Sequence, residues 1–301
     1  MIDQNLILVS QIITHPKKTP VSAGKAYPKK RERETPQRED IYKSLLLHIP
    51  HSSSKIPNDL REQFLLDEKE LEEELLKMTD WYTDELFGTK LFSQFIFPVS
   101  RIVCDPERFS DDEIEPMAKL GMGMVYTKTA TGKPLRRELS QEERNHLKHT
   151  YYQNHQDSMQ YQTNMAMAEK GMVLILDCHS FPSHPLPCDQ DQQYPRPDIC
   201  IGVDSYHTPK ILEDLAIYFF SGIGYKTTVN EPYAGSFVPI KNYQQTKRVQ
   251  SIMIEVNRSL YMNEITGMKN QNFIKVREHL HGFQRILQFY LENQIMKILF
   301  H

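Results

Sequence analysis

Residues 173–183, VLILDCHSFPS, constrain the fold more than any other stretch of this chain. Residues 173–176 are apolar without a break and run straight into Asp177, Cys178 and His179. Such a run reads as a strand covered on both faces, the kind found in parallel sheets. Ligands of open α/β sheets bind beyond the carboxyl ends of the strands, and His179 falls at that position. From the residues alone two outcomes stay open. His179 either closes an ordinary strand with a hydrogen bond, or it binds a metal with Asp177 two residues before it.

The rest of the chain repeats this pattern. Residues 44–49, SLLLHI, read as a first strand that Pro50 ends, which puts His51 on a loop past a strand end. His48 lies inside that strand and reads as structural. Residues 58–87 have a helical pattern, with Leu65, Leu71, Leu75 and Met78 at helix spacing. Within them Asp80 and Asp84 are four apart and would share a helix face. Two like charges so placed repel unless a cation, metal or arginine, lies between them. Residues 94–104 read as two strands, FIFPVS and RIVC, bracketed by Arg101 and Arg108. An arginine fork suits a carboxylate, either of a substrate or of the nearby Asp105 and Glu107. Residues 140–170 read as one long helix, opened by a Ser140–Glu143 capping box, with Leu147, Tyr151, Tyr152, His155 and Met159 as its inward stripe. Residues 198–203 are another buried strand, and Thr208 with Pro209 should open the next helix. Residues 227–239 read as a strand and a glycine loop carrying Gly235. The run SIMIEV, residues 251–256, is a last buried strand with Glu255 near its end, and residues 271–300 form a terminal amphipathic helix. Strands alternating with helices predict an α/β layer architecture with a mostly parallel sheet, as one domain over residues 41–301. Residues 1–40 end in a run rich in Lys, Arg, Pro and Glu that cannot bury a core, so they read as a polar tail.

Composition narrows the function classes. A net charge of −3 gives no basic field, so no nucleic-acid partner is expected. No apolar stretch approaches a membrane span, so no membrane partner is expected. The 4 cysteines form no C-x-x-C pair, and Cys104, Cys178 and Cys200, in apolar strand-like runs, read as buried thiols. Residues 1–14 lack a basic n-region and a cleavage site, which points to the cytoplasm.

His51, Arg101, His179 and Glu255 recur at one kind of position, the strand end, and so make a constellation. Two histidines with Asp80 or Asp84 would leave zinc an open coordination position, the catalytic arrangement. Zinc lowers the pKa of a bound water to about 7. Glu255 is then the candidate base. Arg101, Arg108 or Arg258 would anchor an anionic substrate, and one of them would stabilise an oxyanion. Asp177 could orient a ligand histidine. This is the equipment for metal-assisted amide hydrolysis.

Six segments carry a resemblance. LLLHIPHSSSKIP (45–57), TDWYTDELF (79–87), SRIVCDPER (100–108), LILDCHS (174–180), PYAGSFVP (232–239) and IMIEVNRSLYM (252–262) occur in one order. In that order they resemble the N-formylglutamate amidohydrolase family. The resemblance implies a zinc-carboxypeptidase-like three-layer α/β/α fold, a zinc cofactor, and hydrolysis of N-formyl-L-glutamate to formate and L-glutamate. It assigns the metal to His51, Asp84 and His179, with Asp84 taken over Asp80. It assigns catalysis to Glu255 and Arg108, and the small anionic substrate to Arg101, Arg108, Arg258 and Gly235. The chain departs from the family pattern in two places. The family's aspartate-leucine-asparagine-arginine run reads Asp105-Pro106-Glu107-Arg108 here, and a histidine often found between the two helix aspartates is Tyr82. The alternatives are a carboxypeptidase or peptidoglycan amidase on the same fold, and a binding module without activity.

Overall fold

A computed structural model of the chain describes residues 44–300. The polar tail expected for residues 1–40 and the reading of residues 1–14 lie outside them. Six strands form one sheet: β1 (Leu45–Ile49), β2 (Ser93–Ile96), β3 (Val173–Phe181), β4 (Ile199–Gly202), β5 (Thr227–Val229) and β6 (Val249–Asn257). Their order is β2-β1-β3-β6-β4-β5. Every neighbouring pair is parallel except β4 with β6. The helices are α1 (Glu68–Met78), α2 (Thr83–Leu86), α3 (Gln141–Leu147), α4 (Asn154–Lys170), α5 (Lys210–Gly222) and α6 (Phe273–Phe300). This is the mostly parallel α/β fold that the alternating pattern predicts. Among the described residues no helix is long and apolar enough to cross a membrane.

The apolar runs become β3 and β6 because a central strand must be apolar on both faces. Every residue of both strands is buried. Their in-phase pairing sets Val173 beside Val249, Ile175 beside Ser251 and His179 beside Glu255. Side chains alternate across a strand, so Ile175, Asp177 and His179 share the sheet face on which Leu46, Val173 and Val249 pack with Met159 and Ala166 of α4. The chemistry at the carboxyl end of β3 thus continues the face that buries α4.

Four local readings are corrected. The pattern over residues 58–87 is not one helix. A 3₁₀ turn (Asn58–Gln63) precedes α1, Thr79 is extended, and Tyr82 adopts a left-handed conformation with φ 65 before α2 begins. Asp80 and Asp84 therefore do not share a helix face. The buried run RIVC is a turn rather than a strand, in which Val103 N–H donates to Ser100 O at 2.9 Å. Its apolar residues satisfy burial without a ladder. The long helix is split by a π segment (Lys148–Gln153) between α3 and α4, and Leu147, His155 and Met159 still reach the interior. Finally, Thr208 does not cap α5. Pro209 holds the cap position, and the Thr208 hydroxyl donates to Ser251 O at 2.6 Å.

Gly202, closing β4, lets the loop that carries Gly235 lie against the sheet. A Cβ there would collide with the Gly235 carbonyl oxygen and stand 2.8 Å from Met253 Cβ. Gly202→Ala is expected to destabilise the protein by about 1–3 kcal/mol through overpacking, read as a lower midpoint in thermal or denaturant melts.

Candidate active site

The strand ends bring His51, His179 and Glu255 to one cavity of about 980 Å³. It is also lined by Asp80, Arg101, Glu107, Arg108, Gly235 and Arg258. The loop after α1 is tied to the loop after β1, because Asp80 N–H donates to His51 O at 2.9 Å. That bond puts the Asp80 carboxylate beside a histidine 29 positions earlier in the chain. Asp80 is 2 % exposed. Its Oδ2 lies 3.2 Å from His179 Nδ1 and 3.7 Å from His51 Nδ1. Ser180 N–H donates to Oδ2 at 3.3 Å, and Arg258 Nη2 donates to Oδ1 at 3.0 Å.

The other side of each ring is held by a different carboxylate. His51 Nε2 lies 2.9 Å from Asp105 Oδ1, and His179 Nε2 lies 3.0 Å from Asp177 Oδ1. An ionised carboxylate can only accept. Nε2 therefore carries a proton in both histidines. In the metal-free protein His179 Nδ1 carries one too and donates to Asp80 Oδ2; against burial, the Glu107 and Asp177 charges and the bonds to Asp177 and Asp80 hold the His179 pKa well above the usual imidazole value. A metal held by Asp80 would take the place of the Nδ1 protons. A ligand histidine fixed through its far nitrogen by a carboxylate is the usual support of a metal centre.

Asp105 is buried, and it also accepts from Arg101 Nε at 3.2 Å, Arg101 Nη2 at 2.9 Å and Tyr126 Oη at 2.8 Å. Burial alone would raise its pKa, but the charges of Arg101, His51 and Arg108 outweigh burial and hold it well below the usual carboxylate range. Asp80 behaves alike: burial opposes ionisation, and the His179 bond with the His51 and Arg258 charges overcomes it. Glu255 goes the other way. Burial pushes it up to about 8, against the pull of the His179 charge, and its Oε2 is buried with no hydrogen-bond partner.

His51 Nδ1 is likewise buried with no hydrogen-bond partner. An orphaned imidazole nitrogen facing a carboxylate fits a metal ligand. A second grouping exists on the far side of the rings. His51, Glu107 and His179 offer ligand atoms within 4.8 Å of one another, as do His48, Glu107 and Asp177. Glu107 lies 3.5 Å from His51 Nε2 and 3.3 Å from His179 Nε2. Those nitrogens already face Asp105 and Asp177, so a cation there would displace two buried hydrogen bonds. The His51, Asp80 and His179 set keeps both of these and gives up one buried contact, that of His179 Nδ1 with Asp80. Its mix of two imidazoles and one carboxylate suits zinc.

The N-formylglutamate amidohydrolase family model matches residues 43–262. The chain belongs to this family. No curated protein matches it. Among solved structures, the N-formylglutamate amidohydrolase of Ralstonia eutropha JMP134 is similar with a TM-score of 0.74 and 22% identity, over 83% of this chain and 95% of that one. A gene product of Agrobacterium tumefaciens is similar with a TM-score of 0.59 and 17% identity, over 84% of this chain and 94% of that one. Both likenesses concern the fold.

As a member of the N-formylglutamate amidohydrolase family, the chain gathers most of the sequence-selected residues, with two corrections. Asp84 is exposed on α2, outside the cavity lining, so the carboxylate between the histidines is Asp80. Arg258 reaches the cavity, but every nitrogen of its guanidinium is engaged. Nε donates to Ser180 Oγ, Nη1 to Lys77 O, and Nη2 to Asp80 Oδ1 and Ser180 O. It holds Asp80 rather than a substrate. Arg101 lines the cavity and gives Nε and Nη2 to Asp105 and Nε to Tyr126, while Arg108 Nε is buried without a hydrogen-bond partner, 3.8 Å from Asp105 Oδ2. Gly235 lines the cavity with φ 87, a conformation that favours glycine. The sequence reading missed Asp105 and Glu107 as parts of the site. Asp105 keeps the aspartate that opens the family run, and Glu107 stands where the chain departs from that run; the match and the departure were the available signals.

Proposed function

We propose that this protein hydrolyses the amide of a small, anionic N-acyl amino acid, with N-formyl-L-glutamate as the first candidate and zinc as the cofactor. The observation that carries this reading is the pair of imidazoles whose Nε2 groups rest on buried carboxylates while their Nδ1 atoms face Asp80. His51, Asp80 and His179 would hold the zinc. When bound, the ion would supply a Lewis acid and a water of lowered pKa.

The chain's own residues supply the rest. Glu255 Oε2, without a partner, accepts the proton of the attacking water as its oxygen bonds to the acyl carbon. The same carboxyl returns that proton to the leaving nitrogen as the C–N bond breaks, so one group serves as base and then as acid. Arg108 binds the substrate carboxylate, being the cavity arginine whose guanidinium makes no hydrogen bond within the described protein. Arg258 and Ser180 N–H keep Asp80 ionised and aimed between the rings.

Arg108→Gln is expected to raise KM for N-formyl-L-glutamate roughly tenfold or more, the effect of losing one charge-assisted hydrogen bond of about 1.5–3 kcal/mol, with a smaller change in kcat. Steady-state kinetics on the metal-loaded enzyme measure both, and an unchanged KM removes Arg108 as the anchor. The cavity volume of about 980 Å³ is ample for larger acyl groups, which favours a peptide as the second substrate reading. A panel of N-formyl, N-acetyl and peptidyl glutamates compared by kcat/KM separates the two.

A further inference from the structure

Behind the candidate metal centre lies a buried line of imidazoles that the mechanism above does not use. His48 sits inside β1 and is fully buried. Its Nδ1 lies 2.8 Å from Asp177 Oδ1, the same oxygen that accepts from His179. Its Nε2 lies 2.9 Å from Nε2 of His155, which projects from α4 and is 8 % exposed. Phe237 covers His48 at 4.1 Å between ring centroids, and Phe97 stands edge-on to His155 at 5.2 Å. Burial pushes the His155 pKa down to about 2, so its ring is neutral.

The proton positions follow from the network. Asp177 accepts only, so His48 Nδ1 donates to it. With one proton on each ring, His48 Nε2 is an acceptor and His155 Nε2 donates to it. Phe237 N–H donates to the other oxygen of Asp177 at 2.8 Å. Asp177 is thereby held by β1, by α4 through His48, and by the loop at the cavity. A carboxylate fixed on both oxygens presents one orientation to His179.

We infer that His48 and His155 are positioning residues for the metal centre: they hold Asp177, and through it the His179 ring, so that Nδ1 stays directed at the metal. This rests on the reading of His179 as a ligand. Without the His155 donor, His48 Nε2 is a buried acceptor with no partner. Its ring can then satisfy itself only by turning away from Asp177, which frees the His179 ring to rotate.

The test is zinc affinity of the full-length, metal-stripped protein, measured by competition with a fluorescent zinc chelator. The proteins are the parent, His155→Phe, His155→Gln and His179→Ala, each with a thermal melt. His155→Phe keeps a ring against Phe97 but lacks the donor, and is expected to bind zinc about tenfold more weakly, the scale of lost support to a ligand. His155→Gln can donate through its amide and is expected to recover zinc affinity to within about threefold of the parent. If the phenylalanine variant does not fold, His155→Met supplies the same comparison. Parent-like affinity in the variant without a donor overturns the inference, as does equal weakening in Phe and Gln variants, which would mean packing alone. Parent-like affinity in His179→Ala overturns instead the ligand assignment on which it stands.

Discussion

Asp80→Asn is expected to lose zinc affinity by at least about a hundredfold, more than the loss of a supporting partner costs, and to lose turnover with it. The substitution removes the one anionic donor between two Nδ1 atoms that already face it at 3.2 and 3.7 Å. It also strips Arg258, 4 % exposed, of its carboxylate. Breaking a buried ion pair from one side costs about 3–5 kcal/mol, so a thermal melt must show that the variant is folded at the assay temperature. Two companions give the comparison its force. Asp84→Asn alters an exposed side chain on α2 and is expected to keep parent-like zinc binding and activity. Glu107→Gln touches the Nε2 side of the rings, which Asp105 and Asp177 occupy, and is expected to keep its zinc. Metal retained in Asp80→Asn and lost in Glu107→Gln would transfer the site to the other face of the imidazoles.

The second large effect concerns Glu255. Glu255→Gln should keep zinc and lose about 10²–10⁴ in kcat, the usual contribution of a positioned general base. Its effect on folding should have the opposite sign. The native carboxyl titrates near 8 rather than 4.5. Between those values the metal-free folded state holds a proton that the unfolded chain has released. Stability from this group is therefore present below about pH 4.5 and is lost as pH rises through 8. Glutamine has no such proton to lose, so metal-free Glu255→Gln should be more stable than the parent above pH 8, and the gap should close on acidification. Asp80, Asp105 and Asp177 carry the reverse dependence. Their depressed pKa values add stability above the ordinary carboxylate range that disappears as pH falls through it. Calorimetry of both proteins across this pH range separates the two signs. A variant that melts like the parent at every pH would remove the buried, unpartnered carboxyl from the account.

The sequence made the sheet legible because burial on both faces favours apolar runs, and β3 and β6, buried at every position, each contain one. His51, His179 and Glu255 were legible for a related reason, since a polar side chain closing such a run has few places to be. Asp80 and Asp84 could not be told apart by spacing. What separates them is the extended Thr79 and the left-handed Tyr82, and a tyrosine carries no mark of that conformation. RIVC misled because a buried turn and a buried strand have the same hydropathy. Arg258 looked like a substrate anchor because sequence shows a charge and not its partners. The Asp177–His48–His155 line joins residues 129 and 107 positions apart, and no local pattern announces contacts at that range.

The most direct measurement is glutamate release from N-formyl-L-glutamate by the full-length protein, stripped of metal with a chelator and then reloaded with zinc. Release is expected from the reloaded enzyme, none from the stripped enzyme, and none from reloaded Asp80→Asn. Release that persists undiminished after stripping would contradict this expectation, as would reloaded protein that binds zinc tightly through His51, Asp80 and His179 yet cleaves no N-acyl amino acid or peptide.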